Sequence, residues 1–301
     1  MTNLSDIGQA FIMITCKKEN EMELLSDWNK MLDDHPILQD LWSDVIVAQG
    51  GALESIETID KRGMPAWGQS APTRKFDRFV IFVCKEYFAK ENFNQRKAIL
   101  LHELGHFYVY KKGLLEQLRQ DWKKGEDLFR VFVAPFETQN SQHIDSYRDW
   151  LRRFYDDYIF DLLKIPGEYY ASLWVRENFK DIFDDLLDSE YEGHKAFFDA
   201  GFSTIQKGLV KFVLFSLILR LNGLILLIDD EVNLERFKRL EEDCWSELKG
   251  YTTKSGFRSL KDFEYRIRKL STSTESANEH FPEALEEYIR SFPVELDVSK
   301  K

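Results

Sequence analysis

A stretch of helix-forming residues, Asn94-Gln-Arg-Lys-Ala-Ile-Leu-Leu-His-Glu-Leu-Gly-His106, decides the fold expected of this chain. Asn94 is a typical residue for the start of a helix, and good helix formers follow it. One helical turn takes ~3.6 residues, so His102 and His106 would share a face and could bind one metal ion together. Glu103 would be rotated away from the pair but would still reach a water on that metal. Two neutral imidazoles and a carboxylate base are the parts of a zinc hydrolase, so the stretch predicts a metal-dependent hydrolytic site.

The residues around the two histidines support a buried site. Glycine inside a helix costs ~1 kcal/mol relative to alanine, so Gly105 suggests that another element approaches the helix closely at that point. Apolar side chains would surround the histidines, and buried imidazoles need polar partners or a metal. These apolar residues are Leu100, Leu101, Leu104 and Phe107.

A predicted strand precedes the histidine stretch. Arg78-Phe-Val-Ile-Phe-Val-Cys84 is rich in β-branched and aromatic residues. Together with His-Glu-Leu-Gly-His at 102–106, it makes residues 76–112 resemble the core of zincin metallopeptidases, over roughly a tenth of the chain. The resemblance implies an α+β, predominantly helical fold, in which a small zincin-like sheet and a metal-binding helix are wrapped by additional helices. It also implies that 78–84 is the edge strand of that sheet, where extended substrate would pair.

A catalytic zinc usually has three protein ligands and one water, so a third ligand is expected. Metzincins add a glycine and a third histidine to the motif, but Val109 and Lys112 stand at those positions here. The resemblance is therefore to a gluzincin-like or aspzincin-like site, with a carboxylate from a later helix as third ligand. It implies Glu168, in the predicted helix Pro166–Glu177, where Ala171 would let this helix approach the metal helix.

Other residues remain open as the third ligand. The amphipathic stretch Trp150–Leu163 has an apolar stripe flanked by aspartates, and aspartate-type zincins use such a residue. The alternatives there are Asp156, Asp157 and Asp161, and further candidates are His143, Glu190 and His194. Candidate donors to a developing oxyanion are Tyr108, Tyr110, Tyr191 and His194.

Net charge, cysteine content and the N-terminal residues indicate the expected partners and location of the protein. The net charge is −11 and the sequence pI is near 5.2, which argues against a nucleic-acid partner, because phosphate contacts need concentrated Lys and Arg. Cys16, Cys84 and Cys244 are far apart and odd in number, so a disulfide framework is not expected. The N-terminus lacks the basic start and apolar core of a signal peptide. These features together predict a cytoplasmic protein.

One apolar run is long enough to span a bilayer. Gly208–Ile228 has the length of a membrane span, and membrane-embedded zinc peptidases with this motif exist. Lys211 and Arg220 interrupt the run, and a charge in mid-span is costly in lipid. A buried core helix, broken at Asn222-Gly223, is therefore the expected structure, and a membrane partner is not expected.

The sequence predicts three regions and one leading function. The regions are an N-terminal α+β segment at 1–75, a zincin-like catalytic core at 76–228 and a C-terminal helical region at 229–301, all of which could form one compact domain. The leading hypothesis is a zinc-dependent peptidase that hydrolyses a peptide or protein substrate. The alternative is a zinc-containing interaction or regulatory protein with little or no general peptidase activity.

Overall fold

The computed structural model describes the backbone of three short strands and most of the chain from residue 93 to residue 291. The described residues are 45–50, 68–72, 79–84, 93–109, 126–134, 148–149, 151–152, 154–203, 205, 207–273 and 280–291. Side chains are described from residue 94 onward, except at 157, 158, 160 and 161.

Three strands form a small mixed sheet. They are β1 (Val45–Gly50), β2 (Gly68–Pro72) and β3 (Phe79–Cys84). Strand β3 lies in the centre, parallel to β1 and antiparallel to β2. The expectation that 78–84 is an edge strand is therefore wrong, because both sides of β3 are already hydrogen-bonded to neighbours and cannot pair with a substrate.

The expected fold class, an α+β zincin core, is also wrong for the part of the chain described with side chains. Between residues 93 and 291, every described element is a helix, and no strand occurs among these residues. Even Phe129-Arg-Val-Phe-Val133, which is rich in β-branched and aromatic residues, is helical. Its buried residues are Phe129, Phe132 and Val133, which follow helical spacing, so burial of one helix face overrides the local preference for a strand.

Seven α-helices organise this region. They are α1 (Phe93–Val109), α2 (Ile165–Asn178), α3 (Lys180–Asp199), α4 (Lys207–Ile225), α5 (Glu231–Leu248), α6 (Lys254–Ser271) and α7 (Phe281–Ser291). Residues 126–134 are also helical. Helices α5 and α6 begin at side-chain caps, since Asp230 accepts a hydrogen bond from the Asn233 N–H and Thr253 accepts one from the Gly256 N–H.

The chain divides into two compact units. One comprises Met1–Tyr108 and Ala171–Ala200, and the other comprises Val109–Tyr170 and Gly201–Lys301. Helix α2 is continuous through the boundary after Tyr170. The first unit includes α3, and the second includes α4 to α7.

Helix α4 lies at the core of the second unit. Phe215 is fully buried and packs against Tyr288, Phe263 and Trp245, with ring centroids 4.9, 6.1 and 6.5 Å away. By length and composition α4 could cross a membrane, but 72% of its apolar window is buried within the structure, as in a core helix. The expected break at Asn222-Gly223 is wrong, because α4 continues to Ile225. The Asn222 side chain is satisfied inside the core, where its amide donates to the Ile218 carbonyl.

The predicted helix at 150–163 has an unexpected winding. Tyr155–Ile159 is a π-helical turn, and Phe160–Lys164 is a 3-10 helix that runs directly into α2. Five members of the predicted apolar stripe are nevertheless buried, namely Leu151, Phe154, Tyr155, Ile159 and Leu162, and the side chain of the sixth, Tyr158, lies outside the described residues. The apolar pattern therefore predicted which residues are buried, while tighter and wider turns set the path of the chain.

Candidate metal site

The two motif histidines face each other on α1. His102 Nε2 lies 3.2 Å from His106 Nε2, and the two rings are nearly perpendicular. Two imidazole nitrogens bound to one tetrahedral zinc at ~2.05 Å would lie ~3.3 Å apart. The histidine pair therefore has the separation that a shared metal ion needs.

Ser172 lies within hydrogen-bonding distance of His102. The Ser172 hydroxyl lies 3.3 Å from His102 Nδ1, and both residues are buried. If Nδ1 carries the proton and donates it to the serine oxygen, the lone pair on Nε2 is left for a metal. Metal-binding histidines usually have such a partner on the other ring nitrogen.

Gly105 is the point at which α2 touches α1. A Cβ at Gly105 would lie 2.8 Å from the Ala171 carbonyl oxygen and 3.0 Å from the Ala171 Cα. Both atoms belong to the backbone, so neither can move aside as a flexible side chain would. The expected close approach at Gly105 is confirmed, and the backbone of Ala171 is what Gly105 meets.

Glu168 is the carboxylate that could complete a metal-binding group with the two histidines. It lies four residues before Ser172, so the two share a helix face one turn apart. One ligand atom from each of His102, His106 and Glu168 lies within 4.8 Å of the other two. Ligands of one tetrahedral ion would be ~3.4 Å apart, a difference that rotation of the glutamate torsions can cover. These three residues could therefore hold a metal ion.

Glu103 is a buried carboxylate next to the histidine pair in sequence. Only 7% of Glu103 is exposed, although acidic residues are seldom buried in proteins. Eight polar or charged residues are buried in the part of the chain described with side chains, and three of them are His102, Glu103 and Ser172. Three buried polar groups thus lie at or beside the motif, as expected of a functional site.

Aromatic contacts fix the relation of α1 to the second half of α2. The Tyr108 ring stacks on the Trp174 ring at 5.4 Å, and Trp174 also meets Phe179 edge-on at 5.2 Å. Trp174 and Phe179 are both buried. Because these contacts follow Gly105 and Ala171 by about one turn, the two helices are in contact along more than one turn at the site.

The other residues considered as the third metal ligand are not grouped with the two histidines or lie outside the described residues. Asp156 is exposed and binds Arg152, whose Nε lies 3.0 Å from its carboxylate. Glu190 and His194 pair with each other at 3.3 Å and do not belong to the group around His102. The side chains of Asp157 and Asp161 lie outside the described residues, as do His143 and Tyr110.

Two residues near the site were not singled out by the sequence reasoning as parts of it. Ser172 follows Ala171 and lies one turn after Glu168, so its position on the same helix face could have identified it. Arg220 forms an ion pair with Glu168, with Nη1 3.4 Å from Oε1. No sequence spacing indicates this second pair, because Arg220 is on α4, some fifty residues away.

Comparisons with known proteins leave the family open. No protein-family model, curated protein or solved structure matches this chain. The conclusion about function therefore depends on the geometry of the site.

Proposed function

We propose that this chain is a zinc-dependent peptidase, with His102, His106 and Glu168 as metal ligands and Glu103 as general base. The observation that supports the proposal most strongly is the 3.2 Å separation of the two histidine Nε2 atoms, with the Glu168 carboxylate close to both. A hydrogen bond between two neutral histidines could explain their approach alone. It would not explain why two carboxylates, Glu103 and Glu168, accompany them.

The donor set fits zinc. Two imidazoles and a glutamate are one of the three-ligand sets of catalytic zinc, which leaves a fourth position open for water. Two histidines and one carboxylate also bind iron(II) in some oxygenases. The glutamate directly after the first histidine favours hydrolysis, because a base beside the open position is what water activation requires.

Each residue has a distinct part in the proposed reaction. When bound, zinc would polarise the scissile carbonyl and lower the pKa of the attacking water. Glu103 would take the proton from that water and deliver it to the leaving amine. Ser172 would hold His102 in the tautomer that leaves Nε2 available. The close contact of Gly105 with Ala171 would keep Glu168, one turn earlier on α2, near the histidines.

The first experiment measures metal content and hydrolysis in the same preparations. We expect about one zinc per wild-type chain by elemental analysis, retained in Asp161→Ala and lost in Glu168→Ala. A full complement of zinc in Glu168→Ala would contradict the assignment of the third ligand. Iron in place of zinc would contradict the proposed metal.

A second experiment tests the general base. Glu103→Gln should retain zinc and lose hydrolysis of a mixed fluorogenic peptide library by a factor of at least ~100. Glu177→Gln, on the exposed side of α2, is the matched control and should keep both. If Glu103→Gln hydrolyses peptides as the wild type does, Glu103 is not the base. If the wild type binds zinc but cleaves no peptide, the interaction or regulatory protein is the better description.

A further inference from the structure

Arg220 is a charged residue in the middle of an apolar helix. It lies on α4, most of whose other side chains are buried and apolar. Burial of an arginine stem in such surroundings requires a partner for its charge. Its partner is Glu168, with Arg220 Nη1 3.4 Å from Glu168 Oε1.

A second contact between α4 and α2 lies close to the Arg220–Glu168 pair. One turn after Arg220, a Cβ at Gly223 would meet the Tyr169 side chain at 3.9 Å, an ordinary packing distance. Arg220 and Gly223 thus lie against two neighbouring residues of α2. The ion pair is only partly exposed, with 23% of the Arg220 side chain and 26% of the Glu168 side chain accessible. Screening by water is therefore weaker than for a surface pair.

A carboxylate can serve two partners at once. Its two oxygens offer about four lone-pair positions, so a glutamate that pairs with Arg220 keeps acceptor capacity for a metal ion. A glutamate side chain has three torsions and loses much freedom when it is fixed. An ion pair with Arg220 would restrict those torsions before any metal arrives.

We propose that Arg220 is a positioning residue for the metal site, which orients the Glu168 carboxylate as a ligand of the metal ion. This inference rests on the proposed function, because it assumes that Glu168 is a metal ligand. Residues that orient metal ligands typically contribute 10- to 100-fold to metal affinity.

Charge alone predicts the opposite effect. A guanidinium near a divalent cation repels it, so removal of Arg220 would strengthen zinc binding if this repulsion outweighed every other effect of the side chain. Orientation of Glu168 predicts weaker zinc binding. The direction of the change therefore distinguishes the two explanations.

The test measures zinc dissociation constants of the full chain by competition with a chelating fluorescent indicator. Arg220→Gln should bind zinc roughly 10- to 100-fold more weakly than the wild type. Arg220→Lys, which keeps the charge and a donor, should recover part of the loss. Arg239→Gln removes an exposed arginine that pairs with Glu235 and is the matched control. Cobalt(II) spectra of the same variants report ligand geometry, and Arg220→Gln should shift the visible bands while Arg239→Gln should not.

A double-mutant cycle shows whether Arg220 acts through Glu168. In a Glu168→Ala background, only the weak residual zinc binding of His102 and His106 at raised zinc concentration remains to be measured, and Arg220→Gln should cause no further loss of that affinity. Unchanged or tighter zinc binding by Arg220→Gln would overturn the proposal and leave the metal site itself in place. A loss that persists in the Glu168→Ala background would overturn it as well. If the wild type binds neither zinc nor cobalt, the metal site fails, and the role of Arg220 fails with it.

Discussion

Replacement of Gly105 by alanine tests the close contact between α1 and α2. The added Cβ would lie 2.8 Å from the Ala171 carbonyl oxygen, whereas ordinary contact begins at 3.4 Å. The two backbones would have to separate by about 0.6 Å, and overpacking of this kind costs ~1–3 kcal/mol. Alanine also favours the helix by ~1 kcal/mol relative to glycine, so the two effects oppose each other.

A second helical glycine provides the control. At Gly223 in α4, an added Cβ would meet only the Tyr169 side chain, at 3.9 Å. Gly223→Ala therefore receives the benefit in helix propensity without the clash and should gain up to ~1 kcal/mol. Because both variants receive that benefit, the difference between their stabilities isolates the clash and should be ~1–3 kcal/mol.

Urea unfolding followed by circular dichroism measures both free energies of unfolding. Gly105→Ala should be less stable than Gly223→Ala by the amount given above, and its zinc affinity should fall on the order of 10-fold, since α2 carries Glu168. If Gly105→Ala gains as much stability as Gly223→Ala, the backbones are not in contact at this point, and close packing of α1 on α2 at the site is refuted.

Two further predictions concern a single hydrogen bond each. Ser172→Ala should weaken zinc binding about 10-fold by releasing His102 Nδ1, while Ser189→Ala, equally buried on α3, should leave the zinc affinity measured by indicator competition unchanged. Asp230→Ala should lower the free energy of unfolding by ~1 kcal/mol at neutral pH, because Asn233 N–H loses its acceptor at the start of α5, and Asp230→Asn should retain most of this stability. That hydrogen bond holds the pKa of the Asp230 carboxyl group below its ordinary value. The contribution of Asp230 to the free energy of unfolding is therefore complete above the ordinary pKa and is lost as the pH falls through the lowered pKa. Urea unfolding measured from about pH 7 to about pH 2 would reveal this loss. Equal destabilisation by Asp230→Ala across this whole range would contradict the assignment.

The local geometry of the histidine stretch was easier to predict than the fold. His102 and His106 come together because a helix fixes residues four apart, and the helix was evident from its composition. Gly105 was informative because glycine weakens a helix and is therefore uncommon inside one unless close packing requires it. These predictions depend on the types and spacing of residues close together in the chain, which can be read from a single sequence.

Non-local relations were harder to predict. The position of β3 between two neighbours depends on β1 and β2, and its apolar residues fit a central strand as well as an edge strand. The winding at 155–164 was missed because the apolar stripe is buried in π and 3-10 turns much as it would be in an α-helix. The Arg220–Glu168 ion pair joins two helices that are far apart in the chain. In the sequence, the charge of Arg220 indicated only that residues 208–228 are a poor membrane span.

The unbroken helical run from Tyr155 to Asn178 determines the direction in which the Glu168 side chain leaves the helix axis. The chain passes from a π turn through a 3-10 turn into α2 without an intervening loop, so no flexible joint absorbs a change in length. One residue inserted or deleted between Tyr155 and Glu168 would rotate all later residues of the run by ~100° about the helix axis, relative to the residues before the change. Glu168 would then face away from its present partners, although its own sequence neighbours were unchanged. The distance along the chain from Tyr155 to Glu168 is therefore as much a part of the site as the identity of its side chains.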